Sequence, residues 1–181
     1  GKELELLESV QLNSLRLKTV KDLFIFSCYT GISYIDMMLL TEESLVMGLD
    51  NRRWIATKRQ KTRNPVKIPL LSKAFDIIKN FREDKRCEVY GTLFPKISNQ
   101  KVNAYLKEIA IAAGIKKNLT FHMARHTFAT TVTMTNGVPI ETISKMLGHR
   151  KLSTTQIYAK VIEQKVCEDM ERLRDRLEKS I

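Results

Sequence analysis

The chain is 181 residues long, 43% hydrophobic and 28% charged, with 7 Gly and 4 Pro, a composition that suits one globular domain and excludes collagen-like or low-complexity sequence. No run reaches the roughly 18 apolar residues of a membrane span, Gly1-Lys2-Glu3-Leu4 opens no secretory signal, and the 3 cysteines, Cys28, Cys87 and Cys167, never stand in Cys-x-x-Cys spacing. A soluble, cytoplasmic protein without a disulfide framework or zinc finger is therefore expected. The formal net charge of +11 divides into −4 over residues 1–50, +16 over 51–160 and −1 over 161–181, so the middle of the chain suits a polyanion such as nucleic acid.

In chain order, residues 15–29 are strongly apolar, lack Gly and Pro and precede Gly31, which predicts a buried helix with a glycine stop. Ser33 is placed to cap a short helix running toward Leu40, with Asp36 in its first turn. The period then changes. Leu45-Val46-Met47, the Asp50-Asn51 turn signal, residues 52–57 around Trp54 and Ile55, polar Lys61-Thr62-Arg63-Asn64 and Val66-Lys67-Ile68-Pro69 read as about three antiparallel strands. Their hairpin carries Arg52, Arg53, Lys58, Arg59, Lys61, Arg63 and Lys67 with no acid between them, a cluster that suits phosphates.

Helices are predicted again at 71–82, from the Ser98 cap to Ala113 before Gly114, over 121–136 before Gly137, over 140–147 with Pro139 in front and Gly148 behind, and over 153–161. Residues 163–179 are predicted to form a separate amphipathic helix with Val166, Met170, Leu173 and Leu177 on one face. The expected fold class is α+β: mostly α-helical around one small three-stranded antiparallel sheet.

All 3 histidines lie between positions 122 and 149. His122 and His126 are four apart, as in zinc pairs, but no Glu follows His122, no Cys is near, and Arg125 would repel a cation. No metal site is expected, and His126 reads as structural. His122 and Arg125, three apart, share a helix face and can converge on one anion. His149 follows a helix stop in Leu147-Gly148-His149, and Tyr158 stands 9 residues later. A basic domain presenting these groups with a hairpin lysine suggests phosphoryl transfer without a metal.

The order of these residues resembles the catalytic domain of the tyrosine recombinases, the phage-integrase family, over about residues 15–162. The matching stretches are Phe26-Ser27-Cys28-Tyr29-Thr30-Gly31 with Asp36, Gln60-Lys61-Thr62 before Val66-Lys67-Ile68-Pro69-Leu70, His122-Met123-Ala124-Arg125-His126-Thr127-Phe128-Ala129, Leu147-Gly148-His149, and Thr154-Thr155-Gln156-Ile157-Tyr158. The resemblance implies a site-specific recombinase or integrase that cleaves and rejoins double-stranded DNA through a 3′-phosphotyrosine, with no cofactor and no ATP. It makes Tyr158 the nucleophile, Arg125 and His149 phosphate ligands, His122 the proton acceptor and Lys61 the general acid. It also implies a catalytic domain at 1–162, a C-terminal helix at 163–181 packing in cis or on a neighbouring protomer, a homotetramer on DNA with a monomer allowed off DNA, and an N-terminal DNA-clamping domain that this chain lacks.

One position departs from the pattern: Ser33 stands where the family usually has arginine, as it does in a branch resembling the integrases of conjugative transposons. Lys21, with Arg16 behind it, is the candidate substitute cation, and Ser33 and Asp36 are expected to support the site from behind. Two other readings stand beside the recombinase. One is a type IB topoisomerase-like enzyme; the other is a catalytically impaired DNA-binding module that reads DNA with residues 140–150.

Overall fold

The computed structural model describes residues 1–159 together with Cys167, Met170, Glu171, Leu173, Arg174, Leu177 and Glu178. Helix α1 (Lys2–Ser9) packs Leu4 and Leu7 inward, and α2 (Leu15–Thr30) is the central helix, with Val20, Leu23 and Phe26 fully buried. Gly31 ends α2 in the left-handed conformation at φ 69°, its N–H donating to the Ser27 carbonyl at 2.8 Å. The short α3 (Tyr34–Met37) begins at Ser33, whose hydroxyl accepts from the Asp36 amide.

The sheet has the order β1 (Leu45–Met47), β2 (Arg53–Lys58), β3 (Pro65–Pro69), antiparallel throughout. Ile55 opposite Ile68 and Thr57 opposite Val66 place one face on the core, while Lys67, opposite Ala56, lies on the exposed face. This is the alternation that a half-buried sheet requires.

Helices α4 (Ser72–Asn80) and α6 (Asn99–Ala112) pack on α2. Between them stands α5 (Lys85–Tyr90), which the sequence reading passed over although its signals are present: Asp84 caps it at the Arg86 amide and Gly91 ends it at φ 60°. Helix α1 likewise has no counterpart among the predicted elements. Then come α7 (His122–Thr127), α8 (Ile140–Leu147) and α9 (Ser153–Ala159).

The continuous helix predicted over 121–136 is broken. After α7 the chain runs through a π-helical stretch, Phe128–Thr133, and one 3-10 turn, Met134–Asn136. The cause lies in the threonines: Thr130 Oγ1 donates to the His126 carbonyl at 2.9 Å, and Thr133 Oγ1 to the Phe128 and Ala129 carbonyls at 2.8 and 2.9 Å. Hydroxyls bonded back to main-chain carbonyls bend a helix, and wide turns result. The wide turn lays Phe128 over Gly31, where a Cβ would sit 2.9 Å from Phe128 Cε1 and 2.9 Å from Leu147 Cδ2.

No helix among the described residues is long and apolar enough to cross a membrane. The packing predicted for 163–179 lies outside the described residues, of which Met170, Leu173 and Leu177 are helical and exposed.

Gly31→Ala combines left-handed strain with overpacking, so it should destabilise the fold by roughly 2–5 kcal/mol. Gly114, at φ 70° with open space around it, carries the strain alone. In urea unfolding, Gly31→Ala should lower the midpoint clearly more than Gly114→Ala; equal losses would mean that the α2–α7–α8 junction is not tightly closed.

Candidate active site

The junction of α2, α7 and α8 buries Arg125, which is 4% exposed. Its Nη1 donates to the Gly31 carbonyl at 2.6 Å; its Nη2 donates to the Leu147 carbonyl and lies 3.1 Å from His149 Nε2. A guanidinium has only donors, so His149 Nε2 accepts, and the ring proton is assigned to Nδ1, 2.8 Å from Thr155 Oγ1. Burial, and then the charges of Arg125 and Arg59, push His149 down to about 4. A neutral ring with a free lone pair therefore faces Arg125 at physiological pH.

A second guanidinium reaches the same carbonyl. Arg59 follows β2 directly, and its Nη1 donates to Leu147 O at 2.6 Å while its Nε lies 2.8 Å from Asp36 Oδ2. Like charges this close repel, and the arrangement is held by two features. The Leu147 carbonyl stands at the C-terminal, negative end of α8. Asp36, 3% exposed, supplies a full countercharge: its Oδ2 also accepts from Ser33 Oγ at 2.6 Å and its Oδ1 accepts from the Gln60 amide at 2.8 Å. Arg125 is pulled down to about 10, first by burial and then by Arg59, with Tyr158 and Asp36 acting in the opposite sense. It stays cationic at neutral pH.

Ser33, Asp36, Arg59, Lys61, His122 and Arg125 all line one cleft of about 380 Å³. Tyr158 and His149 are outside that lining and reach it through Arg125. Tyr158 is 5% exposed, packs its ring against His126 with centroids 5.2 Å apart, and lies close enough to Arg125 to act on its charge. His126, itself exposed, covers the Tyr158 ring from outside. Among the described residues no group of three His, Cys, Asp or Glu side chains could hold a metal ion.

Lys21 is not brought to this cleft. Its Nζ donates to the Val10 carbonyl at 3.1 Å and lines a different depression with Glu8, Asp22 and Lys73, because α2 points that turn toward α1 and α4. Arg16 is also elsewhere, paired with Glu108 at 3.3 Å. The cation beside Ser33 is Arg59, which the sequence reading counted only among the exposed basic residues. Its side chain is 13% exposed, whereas Arg52, Arg53, Lys58, Arg63 and Lys67 are exposed. Thr155, which orients His149, was missed as well; its place three residues before Tyr158 was the available signal.

The model of the phage integrase family matches residues 5–165. The chain belongs to the phage integrase family. It is 30% identical over 166 residues to the tyrosine recombinase XerD of Staphylococcus saprophyticus, a match covering 86% of this chain and 54% of that protein. Two solved structures share the fold: XerA recombinase, with a TM-score of 0.74 at 22% identity over 96% of this chain and 63% of the other, and the Tn1549 transposon integrase in complex with transposon right end DNA, with a TM-score of 0.70 at 18% identity over 96% and 64%. The chain spans about half the length of its XerD relative.

Because His149 is held near 4 in the fold against 6.5 for a free histidine, the unfolded chain binds more protons between those values. Stability should therefore fall as pH drops from about 6.5 toward 4. His126, also lowered by burial, contributes in the same direction. Urea unfolding across this window should give a shallower pH slope in His149→Asn than in wild type; parallel slopes would mean that His149 is not held neutral.

Proposed function

We propose that the chain is the strand-transferring part of a DNA integrase or site-specific recombinase. The observation that carries this reading is the convergence of Arg125 and Arg59 on one carbonyl, in a cleft shared with Lys61 and His122 and backed by Tyr158. Two cations held in advance, Arg125 buried and Arg59 partly buried, can receive the charge that grows on a phosphodiester's non-bridging oxygens during displacement. Arg59 supplies the second guanidinium that Ser33 cannot. The impaired, non-catalytic reading rested on that serine and loses its support.

In this scheme Tyr158 Oη attacks phosphorus in line. The Tyr158 O–P bond forms, the P–O5′ bond breaks, the phenolic proton passes to His122, and Lys61 gives a proton to the departing 5′ oxygen. Tyr158 turns out of its apolar seat against His126 to do this. The phosphotyrosine keeps the energy of the phosphodiester, so a 5′-hydroxyl from another strand reverses the steps and no nucleotide cofactor or metal enters the scheme. His149, neutral with its proton on Nδ1, holds Arg125 through its lone pair until phosphate arrives and then turns toward it as a ligand.

Double-stranded DNA fits as substrate because Arg52, Arg53, Lys58, Arg63 and Lys67 are exposed along the sheet and its connecting turns, and the Tn1549 integrase structure is a complex with DNA. A mobile element is the corresponding source. We assign residues 1–162 to the catalytic domain and 163–181 to a helix whose exposed Met170, Leu173 and Leu177 would dock on a neighbouring protomer in a DNA-bound tetramer. Buried, unpaired Cys28 and Cys87 suit a reducing cytoplasm.

On a nicked duplex that lets the cleaved 5′ fragment escape, the protein should form a denaturant-resistant adduct in EDTA and without ATP. Tyr158→Phe keeps the ring and should abolish the adduct while preserving DNA affinity; an undiminished adduct would overturn the assignment.

The two candidate cations are separable by rate. Arg59→Ala should slow adduct formation by about 10²-fold with little change in affinity, whereas Lys21→Ala should leave the rate near wild type. Adding Ser33→Arg to Arg59→Ala should restore much of the rate. The reverse ranking of Arg59 and Lys21 would return the role to Lys21.

A further inference from the structure

We propose that Arg150, with Asn64, clamps the loop carrying Lys61 onto the end of α8, which makes Arg150 a positioning residue for the proton donor. The inference rests on the strand-transfer reading above and adds a residue to it.

The loop between β2 and β3 closes on itself through the main chain, Arg59 N donating to Asn64 O at 2.9 Å and Arg63 N to Arg59 O at 2.8 Å. Arg63 completes it at φ 58°, a conformation that side chains with a Cβ rarely adopt. Strand pairing ends at Lys58 opposite Pro65, so the ladder does not fix the direction in which the tip leans. Asp36 holds its near side through the Gln60 amide, and contacts with residues 148–150 hold its far side. Arg150 Nη2 donates to the Thr62 carbonyl at 2.9 Å, Arg150 Nε donates to Asn64 Oδ1 at 3.3 Å, and Asn64 Nδ2 donates to the Gly148 carbonyl at 3.1 Å.

The Thr62 carbonyl is one residue past Lys61, so Arg150 holds the main chain next to the residue that must be aimed. Gly148 lets the hairpin lie directly on α8: a Cβ there would sit 2.6 Å from Val66 Cγ1 and 2.9 Å from Arg59 Cγ. His149, between Gly148 and Arg150, is bonded to Arg125. One tripeptide therefore fixes both the phosphate-binding arginine and the lysine loop, and so sets their separation. A planar guanidinium reaches two acceptors at fixed angles, which an ammonium does not.

Arg150 is itself exposed within the basic region, so the competing role is a direct phosphate contact. The two roles differ in which chemical step they touch. The test uses the 181-residue chain and a pool of nicked duplexes of random sequence around the scissile phosphate, made with either oxygen or sulfur at the 5′-bridging position. A sulfur leaving group needs little protonation. Wild type should form adduct on both duplexes and Lys61→Ala only on the sulfur duplex.

Arg150→Ala and Arg150→Lys should each be slowed by about 10–100-fold on the oxygen duplex, the loss expected of a misplaced catalytic group, and should return to within roughly threefold of wild type on sulfur. If Arg150→Ala is slowed equally on both duplexes while Arg150→Lys keeps the wild-type rate, Arg150 binds phosphate and the clamp is overturned. Wild-type rates on oxygen in both variants overturn it too. Absence of adduct from wild type on either duplex, or a Lys61→Ala variant that sulfur does not rescue, would instead remove the underlying reading and the clamp with it.

Discussion

The Leu147 carbonyl is the point on which the site depends. Arg125 arrives from α7 and Arg59 from the edge of the sheet, and both donate to this one oxygen at the end of α8. Bringing two guanidiniums together in a desolvated junction is unfavourable, as the lowering of Arg125 to about 10 records. The negative end of a helix, a buried carboxylate at Asp36 and a neutral His149 offset that repulsion. The result is a concentration of positive charge fixed before any anion arrives, and fixed charge is worth most where charge develops during a reaction.

This constraint explains local features that look unrelated along the chain. Gly31 must be glycine because its φ is 69° and Phe128 and Leu147 close over its α-carbon, and its carbonyl then serves Arg125. The π-helical turn after α7 keeps Phe128 in that position. Gly148 must be glycine because the hairpin bearing Arg59 lies against it. Asp36 serves the Gln60 amide as well as Arg59, so the carboxylate that balances the second guanidinium also anchors the base of the lysine loop.

The proposed nucleophile sits differently from the residues around it. Tyr158 belongs to a small second core with Phe128, Met134, Ile143 and Leu147, and His126 covers its ring. Apolar packing keeps the phenol near Arg125 and away from the open cleft. Cations are thus preset, while the phenol proposed to attack is stored near the arginine proposed to bind the phosphate.

Much of this was legible in the sequence, because the signals were local. Gly31 as a helix stop, Ser33 and Ser98 as caps, the period-2 alternation around Ile55 and Ile68, and the three-residue spacing of His122 and Arg125 each follow from rules that act within a few residues, and the family pattern assembled them in order. What stayed hidden was non-local or hydroxyl-mediated. Threonines at 130 and 133 have helical spacing in sequence, and only their bonds to main-chain carbonyls turn the helix aside. Lys21 and Arg59 are indistinguishable as charges on a string: one lies on the predicted buried helix, the other in a basic cluster. Only the tertiary fold decides that α2 turns Lys21 toward Val10 and that the hairpin folds Arg59 back over Ser33. The order of residues sets which chemical groups exist and which local turns they can make; their convergence comes from the close approach of α2, α7, α8 and the hairpin, since a vector between two charges is a property of packing and not of spacing.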